Sequence, residues 1–460
     1  MVEPGTSALT AAPPASRPSL ARGPSWPAIG LMTGLVLILI AAVVPPLFGW
    51  TVHALGIAPV SARWDPRVGW GTGPALLLGI ATVRWAPQLA GSLRWRRLLA
   101  GSFVLGAGWL SALATVDGWH GIGHVLGTND EYLPTARRVT SISALLHEFV
   151  ARIPATSASP WPTHVAGHPP GALLFFIALV RSGLGGGLAA GWVVVLIAAT
   201  TPLAVLVALR ALGAESSARR VAPVLVVGPA AIWTAVSADA MFAAVAAWAL
   251  CALAIAATAR GTRAMIGWSL CAGLLFGACL LLSYGLALLA VPALAVLLIA
   301  RNPRPLLGAV AGVLVVVLGC AAAGFLWWQG FTALHGRYYA GLARVRPAAY
   351  WVWADLAALC VCAGPLLGAS IGVVAQRARR LRALDGPDRT VVLLTLAACA
   401  CIGLADLSFM SKAETERIWL PFVPWLLLGA ALLPEAWRRR ALAGQVTVAL
   451  LVQTLLFTHW

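Results

Sequence analysis

Long hydrophobic segments, separated by short polar stretches, run along almost the whole chain. Many are close to the roughly 20 residues that an α-helix needs to cross the hydrocarbon core of a bilayer. With glycine, proline and arginine taken as boundaries, the pattern predicts an all-α polytopic membrane protein with about 13 transmembrane helices. The predicted spans are 29–49, 72–90, 98–116, 188–209, 221–237, 240–259, 264–283, 285–300, 306–329, 350–374, 390–409, 418–435 and 442–459.

The apolar segment 171–182 is too short to cross, and the glycine-rich stretch 183–187 interrupts it. We predict a re-entrant or interfacial helix there, because counting it as a span would reverse the sidedness of every later loop. With it left out, the positive-inside rule places the main arginine clusters and the N terminus in the cytoplasm. These arginines are Arg94, Arg96, Arg97, Arg219, Arg220, Arg260, Arg263, Arg301, Arg304, Arg377, Arg379, Arg380, Arg382, Arg438, Arg439 and Arg440.

The same pattern divides the chain into four parts. Residues 1–28, rich in Pro, Ala and Ser, are predicted to be a disordered cytoplasmic tail, and 29–116 to be three N-terminal transmembrane helices. Residues 117–187 are predicted to be a large exoplasmic loop carrying short amphipathic or re-entrant helices, and 188–460 a transmembrane bundle.

The net charge of +17 would suggest nucleic acid as the partner of a soluble protein. Here only 10% of residues are charged, and the cations lie between hydrophobic segments, where they set topology. We therefore predict the lipid bilayer as a partner and no nucleic acid. All eight cysteines fall within apolar segments, which argues against disulfides and against a cysteine metal clip.

The predicted topology sorts the remaining polar residues onto the outer face. All eight histidines fall there (His53, His120, His124, His147, His164, His168, His335 and His459), as do ten of the 15 acids (Asp65, Asp117, Asp130, Glu131, Glu148, Asp239, Asp355, Asp406, Glu414 and Glu416). A plasma-membrane protein whose chemistry takes place on the outside fits this distribution.

Two motifs stand out in the loop 117–170. Asp130 and Glu131 are adjacent carboxylates, and a carboxylate there could act as a base that takes a proton from a hydroxyl, although solvated loop charges explain them too. His168 precedes two prolines and Gly171, and this pattern predicts a helix start whose N–H groups cradle a phosphate. A solvated histidine at a helix start is the alternative.

Further charges lie in later outer loops. Arg337, Arg344 and Arg346 lie on the side that the positive-inside rule disfavours, where either an anion or lipid headgroups would bind them. Lys412, Glu414, Glu416 and Arg417 lie where one span ends and the next begins, which indicates either a functional cavity or a snorkelling cluster. Asp239 is placed either to orient a substrate or to cap a helix.

The sequence contains no P-loop, dinucleotide fingerprint, HExxH or GxSxG motif in a fitting context. His120, His124 and His164 lack partners at metal-ligand spacing, so no metal site is assigned. The sequence does not exclude that a divalent cation takes part. No cofactor is predicted.

The order Asp130-Glu131, then His168-Pro169-Pro170, then Glu416-Arg417-Ile418-Trp419-Leu420-Pro421-Phe422-Val423-Pro424 resembles the GT-C glycosyltransferases. It is most similar to the branch that includes protein O-mannosyltransferases and the lipid A aminoarabinose transferase, and the chain as a whole resembles actinobacterial membrane proteins of this class. The chain departs from the family in two ways: the acidic loop follows the third span instead of the first, and His168 replaces a commoner lysine.

The resemblance implies inverting transfer of a sugar from a polyprenyl-phosphate carrier to a hydroxyl of a glycan, lipid or protein acceptor at the outer face. Asp130 would be the base, with Glu131 as neighbour or substitute. The phosphate would be bound by His168, Arg337, Lys412 and Arg417, and the substrate by Tyr132, Trp161, Asp239 and Glu416. A transporter or lipid flippase is the main alternative, and a non-catalytic scaffold in envelope assembly is a third.

Overall fold

The computed structural model describes residues 25–458, which form a bundle of helices with two short strands. Residues 1–24, which are most of the predicted tail, and His459 lie outside the described residues. The α-helices are α1 (Trp26–Phe48), α2 (Thr72–Ser92), α3 (Trp95–Ala114), α4 (His120–Gly123), α5 (Tyr132–Ala136), α6 (Ile142–Glu148), α7 (Thr163–Gly167), α8 (Pro170–Arg181), α9 (Gly187–Ala198), α10 (Thr201–Ala211), α11 (Glu215–Val226), α12 (Ala231–Thr234), α13 (Ala238–Thr258), α14 (Thr262–Leu282), α15 (Ala290–Ala300), α16 (Pro305–Ala322), α17 (Trp327–Ala340), α18 (Ala348–Ala363), α19 (Leu366–Ala378), α20 (Gly386–Leu407), α21 (Thr415–Ile418), α22 (Val423–Leu426) and α23 (Glu435–Leu455). Short 3-10 helices cover Thr115–Asp117, Val125–Gly127, Val150–Arg152, Tyr284–Leu289, Leu342–Arg344, Leu381–Ala383 and Leu427–Leu432, and the strands are β1 (Ala62–Trp64) and β2 (Leu456–Thr458).

Within residues 25–458, seven helical segments are long and apolar enough to cross a membrane. They are Trp26–Phe48, Trp95–Asp117, Gly187–Ala211, Ala238–Thr258, Thr262–Leu282, Pro305–Ala322 and Gly386–Leu407, and α18 with α19 would make an eighth if the pair is one broken span. This confirms the prediction of a helical membrane protein. The count of 13 spans and their sidedness stay predictions.

Burial separates central from peripheral helices. In α13, 83% of the most apolar window is buried, whereas in α1 and α16 only 17% is. The outward side chains of these two helices include Leu39 and Leu307, which are 61% and 81% exposed. Hence α13 is the centre of the bundle, and α1 and α16 present the apolar surface that suits contact with lipid tails.

Several predicted spans are not single α-helices: 188–209 is divided between α9 and α10, 306–329 covers α16 and the start of α17, and 442–459 ends in β2. In four others, proline or glycine lies at or near the interruption. The segment 221–237 is broken after Val226, three residues beyond Pro223, and 285–300 begins as a 3-10 helix. The segment 418–435 consists of short helices separated near Pro421. A proline lacks the N–H that an α-helix needs and clashes with the preceding turn, which accounts for the break at Pro421 and for the end of α11 before Pro229. Pro223 and Pro292, by contrast, lie inside α11 and α15.

The fourth interruption turns the chain by 108° between α18 and α19. Gly364 has φ +81°, a conformation that favours glycine, and Pro365 follows it. The side chain of Gln445 in α23 binds both sides of the break: its Nε2 donates to the carbonyl oxygen of Ala363 at 2.7 Å, and its Oε1 accepts from the Leu366 N–H at 3.2 Å. The backbone groups freed by the bend are thus satisfied inside the protein.

The predicted loop 117–187 is a folded layer with its own aromatic core. Phe149 packs against Trp161 and edge-on against Phe325, with ring centroids 5.4 and 5.5 Å apart, and Tyr132 stacks on Phe176 at 5.3 Å. The segment 171–182 is part of α8, which is too short to cross and begins at Pro170, as the sequence predicts. These contacts fix the loop over the ends of the long helices.

An antiparallel pair of strands joins the segment after α1 to the segment after α23. Ala62 pairs with Thr458, and Trp64 with Leu456. The buried Ser61 N–H beside this pair donates to Oε1 of Glu416 at 3.0 Å. Three distant parts of the chain therefore meet next to the folded loop.

Candidate functional site

Two cavities meet under the folded loop. The first, of about 480 Å³, is called the polar cavity here because its lining includes Asp117, His120, His124, Asp130, Glu131, His164 and Glu414. The second, of about 450 Å³, is called the mixed cavity because Asp239, His168 and Arg417 share its lining with Phe242, Trp327, Phe331, Leu334 and Leu404. Thr163, His164 and Glu414 line both cavities and form the wall between them.

The two adjacent carboxylates of the loop have different surroundings. Glu131 is buried, and its Oε1 lies 2.8 Å from Nδ1 of His164, while its Oε2 is buried with no hydrogen-bond partner among the described residues. Asp130 is exposed, and its Oδ1 accepts a hydrogen bond from the Thr163 hydroxyl at 3.0 Å. Both partners stand at the start of α7, so this short helix fixes the two acids at the wall.

His168 lies just before α8, on the mixed-cavity side of the wall. Its Nδ1 is 2.8 Å from the Tyr132 hydroxyl and 3.0 Å from the carbonyl oxygen of His164, so both of these contacts use the same ring nitrogen. Burial lowers the pKa of His168, and burial together with the charge of Glu131 raises the pKa of Tyr132. At neutral pH both groups are therefore uncharged.

Arg417 and Asp239 form a buried ion pair in the mixed cavity. Arg417 Nη1 donates to Oδ2 of Asp239 at 2.8 Å, and Arg417 Nη2 lies 3.6 Å from Oε2 of Glu414. Asp239 is held in the first turn of α13, where the Ser237 side chain accepts from the Ala240 N–H. The pair anchors the short helix α21 to the central helix of the bundle.

Glu414 has an unusual backbone conformation in the wall between the cavities. Both Ala413 and Glu414 have positive φ, +69° and +61°, which costs on the order of 1 kcal/mol for a residue with a side chain. Oε1 of Glu414 is 3.4 Å from Nη2 of Arg346, and Nη1 of Arg346 donates to the carbonyl oxygen of Lys412. Such strain persists only where surrounding contacts enforce it, and here two arginines do so.

Three of the predicted site residues lie elsewhere. Arg337 donates to the carbonyl oxygen of Ile153, and the ammonium of Lys412 donates to the carbonyl oxygens of Ala343 and Arg346. Trp161 is buried in the core of the loop, where its Nε1 donates to the Phe149 carbonyl and the Arg152 guanidinium lies 3.5 Å from its ring centroid. None of the three lines either cavity.

Tyr132 is also outside both linings and reaches the mixed cavity through its contact with His168. Glu416 is outside both linings as well, although its neighbour Arg417 is not. It is fully buried, its Oε1 accepts from Ser61, and its carbonyl oxygen is 3.0 Å from Sγ of Cys362. Burial raises the pKa of the Glu416 carboxyl to about 7. Its contacts join the β1 segment to α18, which is a structural position, while Asp130, Glu131, His168, Asp239 and Arg417 are brought together around the wall.

Sequence reasoning named one wall residue, Glu414, as part of the charged cluster 412–417, but did not select Thr163 or His164 as site residues. These two reach the wall because α7 folds back onto residues 130 and 131, which brings His164 to Glu131 across 33 positions of sequence. For them the one available signal was that His164 shares the outer loop with the acidic pair.

Within residues 25–458, no three His, Cys, Asp or Glu side chains are arranged to hold a metal ion. Comparisons with protein-family models, with curated proteins and with solved structures give no match for this chain.

Proposed function

We propose that this chain is a GT-C-like glycosyltransferase of the plasma membrane that moves a sugar from a polyprenyl-phosphate carrier to an acceptor hydroxyl at the outer face. One observation carries the proposal: a carboxylate-lined cavity and a cavity with a buried arginine meet at a wall of three residues, Thr163, His164 and Glu414. A transferase with one amphiphilic and one hydrophilic substrate needs such a pair of adjoining sites.

The proposed topology has a cytoplasmic N terminus and 13 spans. In support of it, contacts join segments proposed for the same side of the membrane. Arg417 reaches Asp239 and Arg337 reaches Ile153 among the proposed outer segments. Among the proposed inner ones, Arg219 donates to the carbonyl oxygens of Ala90 and Leu93.

The mixed cavity is the proposed site of the lipid-linked donor. Phe331 and Leu404 line it and are also 37% and 51% exposed, so its apolar side continues to the lipid-facing surface. Arg417 would stabilise the phosphate as it departs with the negative charge, and the Nε2 side of His168 would assist. Glu414 lies at a longer distance from Arg417 than Asp239 does, so the phosphate would compete with Glu414 for this cation.

The polar cavity is the proposed site of the acceptor. The geometry favours Glu131 over Asp130 as the base. Glu131 is buried at the wall, and its negative charge is near enough to Arg417 to favour the charged guanidinium. In the proposed step the bond from the anomeric carbon to the phosphate oxygen breaks, and its electron pair leaves with the phosphate. The acceptor oxygen bonds to that carbon from the opposite side, and its proton passes to the Glu131 carboxylate.

The charge of the polar cavity indicates the acceptor class. Four carboxylates line it (Asp117, Asp130, Glu131 and Glu414), and its lining includes no lysine or arginine. Asp117 pairs with Arg67, and Glu414 lies beside Arg346 and Arg417, so the negative charge that faces the cavity comes mainly from Asp130 and Glu131. An acceptor that carries phosphate or carboxylate groups would be repelled. A neutral polyol or an amino sugar is the class that fits.

Separate substitution of the two acids tests the proposal in membranes supplied with a panel of polyprenyl-phosphate hexoses and pentoses and with neutral glycan acceptors. Glu131→Gln should lower transfer by about a hundredfold or more, and Asp130→Asn by less. Glu148→Gln, an exposed acid of the same loop, is the control and should keep full activity. Full transfer by Glu131→Gln, or no transfer by the unmodified protein with any donor, would contradict the assignment.

A lipid flippase is the second candidate, because the 108° bend between α18 and α19 resembles the broken helices of transporters. In transporters such breaks offer backbone groups to the substrate, whereas here Gln445 binds them. Reconstituted vesicles with a labelled polyprenyl phosphate distinguish the two functions: translocation without acceptor would favour the flippase.

A further inference from the structure

A second charged site lies at the other end of the bundle. Arg219, Arg220 and Arg438 line a small cavity of about 90 Å³ together with Pro87 and Leu433; we call it the arginine cavity. Helix α23 runs from Arg438, near its start, to Gln453, which lines the polar cavity. At about 1.5 Å per residue, these two residues are roughly 22 Å apart along the helix, so the site is separate from the proposed reaction.

The arginine cavity has more positive charge than its carboxylates neutralise. Glu215 is shared, since Oε1 pairs with Arg219 at 2.8 Å and Oε2 with Arg210 at 2.9 Å. Arg219 also donates to the carbonyl oxygens of Ala90 and Leu93. Burial and the nearby charge of Arg220 lower the pKa of Arg438, with Glu435 acting in the opposite direction, and Arg438 Nε donates to the carbonyl oxygen of Leu433 at 3.0 Å. Two neighbouring guanidinium groups in one concave site favour an anion with several acceptor oxygens.

An apolar groove of about 240 Å³ adjoins the arginine cavity. Trp85, Leu89, Leu98 and Leu105 line it, and Pro223 lines both the groove and the arginine cavity. Ala90 and Leu93, whose carbonyls bind Arg219, line the groove as well. Trp85 and Leu89 are 52% and 48% exposed, so the groove opens sideways to the lipid-facing surface between α2 and α3.

A tryptophan marks the level of this site relative to a membrane. Trp95, the first residue of α3, has the guanidinium groups of Arg210 and Arg219 at 4.7 and 5.7 Å from its ring. Tryptophan is enriched at the depth of the lipid headgroups, where its ring is half buried and its N–H is hydrated. Trp95 thus indicates headgroup depth for the arginine cavity, and the groove extends from Leu93 toward Ala81 along α2 and from Leu98 toward Leu105 along α3, away from that level.

We propose that the arginine cavity and the apolar groove together bind one anionic phospholipid, with its phosphate between Arg220 and Arg438 and an acyl chain along α2 and α3. Charge complementarity selects an anionic headgroup, and the groove selects a lipid over a free phosphate. The proposal does not depend on the glycosyltransferase assignment.

Glycine positions offer a way to block the groove without disturbing the fold. Gly101 lines the groove, and a Cβ added there would meet no atom within 4 Å, so the backbone leaves room for a side chain to enter the groove. Gly91 on the neighbouring helix also has open space and is outside the groove lining. Gly101→Leu therefore fills the groove, and Gly91→Leu is the matched control.

The experiment measures retained lipid and thermal stability of the full chain purified in detergent. Phosphatidylglycerol, phosphatidylcholine and inorganic phosphate are each added to delipidated protein, and bound lipid is counted by native mass spectrometry. We expect phosphatidylglycerol alone to raise the melting temperature. Arg220→Gln with Arg438→Gln, and separately Gly101→Leu, should lower retained phosphatidylglycerol about tenfold or more, which corresponds to the loss of one or two charge-assisted contacts or of the buried chain.

The control variants are Gly91→Leu and the pair Arg96→Gln with Arg97→Gln, which removes two charges at the same end of the bundle outside the cavity. Both should retain lipid as the unmodified protein does. Equal stabilisation by phosphatidylcholine would overturn the charge selection, and equal stabilisation by phosphate would show a free-anion site instead. If Arg96→Gln with Arg97→Gln lost as much phosphatidylglycerol as Arg220→Gln with Arg438→Gln, the loss would be a general surface-charge effect. That result would also overturn the proposal.

Discussion

Arg417 donates to Asp239 at 2.8 Å although the two residues are 178 positions apart, and both side chains are almost fully buried. The pair joins α21, which carries the wall residue Glu414 at its start, to the central helix α13. Burying two charges is costly, and their attraction offsets that cost only while both are present. The geometry of the mixed cavity therefore depends on an interaction in which neither partner can be lost alone.

Removing one member of this pair should be severely destabilising. Arg417→Met leaves Asp239 buried without its partner and is expected to lower the free energy of unfolding by about 3–5 kcal/mol. Adding Asp239→Leu should restore much of that loss, measured by denaturant unfolding in detergent. Arg377→Ala breaks the more exposed pair with Asp388 and should cost less than about 1 kcal/mol. A double variant no more stable than the single one would contradict the prediction.

The buried Glu416 should make stability depend on pH. Burial raises the pKa of its carboxyl from 4.5 to about 7, so the folded state holds this proton more tightly than the unfolded state does. The associated stabilisation is present below pH 4.5 and is lost as the pH rises through about 7, a change of about 3 kcal/mol for a shift of this size.

Glu416→Gln keeps an acceptor for Ser61 and removes the titration. Between pH 5 and pH 8, the melting temperature of Glu416→Gln should fall less than that of the unmodified protein. Other titrating groups change both melting temperatures equally. Glu148→Gln, which alters an exposed acid, should follow the unmodified curve. Identical pH curves for Glu416→Gln and the unmodified protein would rule out this origin of the pH dependence.

Tyr132 is expected to act as a positioning residue for His168. Tyr132→Phe keeps the stack on Phe176 and removes the hydroxyl that contacts Nδ1 of His168. We expect kcat of sugar transfer to fall about fivefold, the equivalent of about 1 kcal/mol for one hydrogen bond, with KM for the acceptor little changed. Tyr339→Phe, whose hydroxyl binds the Phe409 carbonyl outside both linings, should not change kcat. A change in acceptor KM alone would place Tyr132 in binding instead.

Gly364 should tolerate no side chain. Both Gly364 and Gly183 have φ near +80°, but an added Cβ at Gly364 would be 2.1 Å from Oε1 of Gln445, whereas Gly183 has open space. Gly183→Ala should cost about 1 kcal/mol from backbone conformation alone. Gly364→Ala should cost clearly more in thermal unfolding, because it also displaces the side chain that satisfies the bend. Equal costs would mean that Gln445 moves freely.

Local rules were enough to predict the long helices and the start of α8. Hydrophobic length identified α1, α13 and α20, and the proline pair before Gly171 identified the start of α8 at Pro170. The bend at Gly364 was missed because hydropathy stays high across 350–374, and a hydropathy window does not register one backbone angle.

The assembly of the site could not be predicted in the same way. Asp239, Arg417 and Glu131 each stood out as charges in an apolar chain, but which charges pair depends on helix packing over distances of more than a hundred residues. The family resemblance implied that Trp161 binds the substrate and Lys412 the phosphate. The loop core buries the indole, and carbonyl groups left open near a short 3-10 helix bind the ammonium, so neither side chain lines a cavity.

The pairing of β1 with β2 has a consequence for biogenesis. Lining atoms of the polar cavity come from residues as far apart as Leu55 and Thr458, and Phe457 and Thr458 reach the cavity through this pairing. During translation every earlier helix can insert while the compartment stays open on that side. A chain truncated before residue 456 would therefore lack the strand that closes the polar cavity on that side.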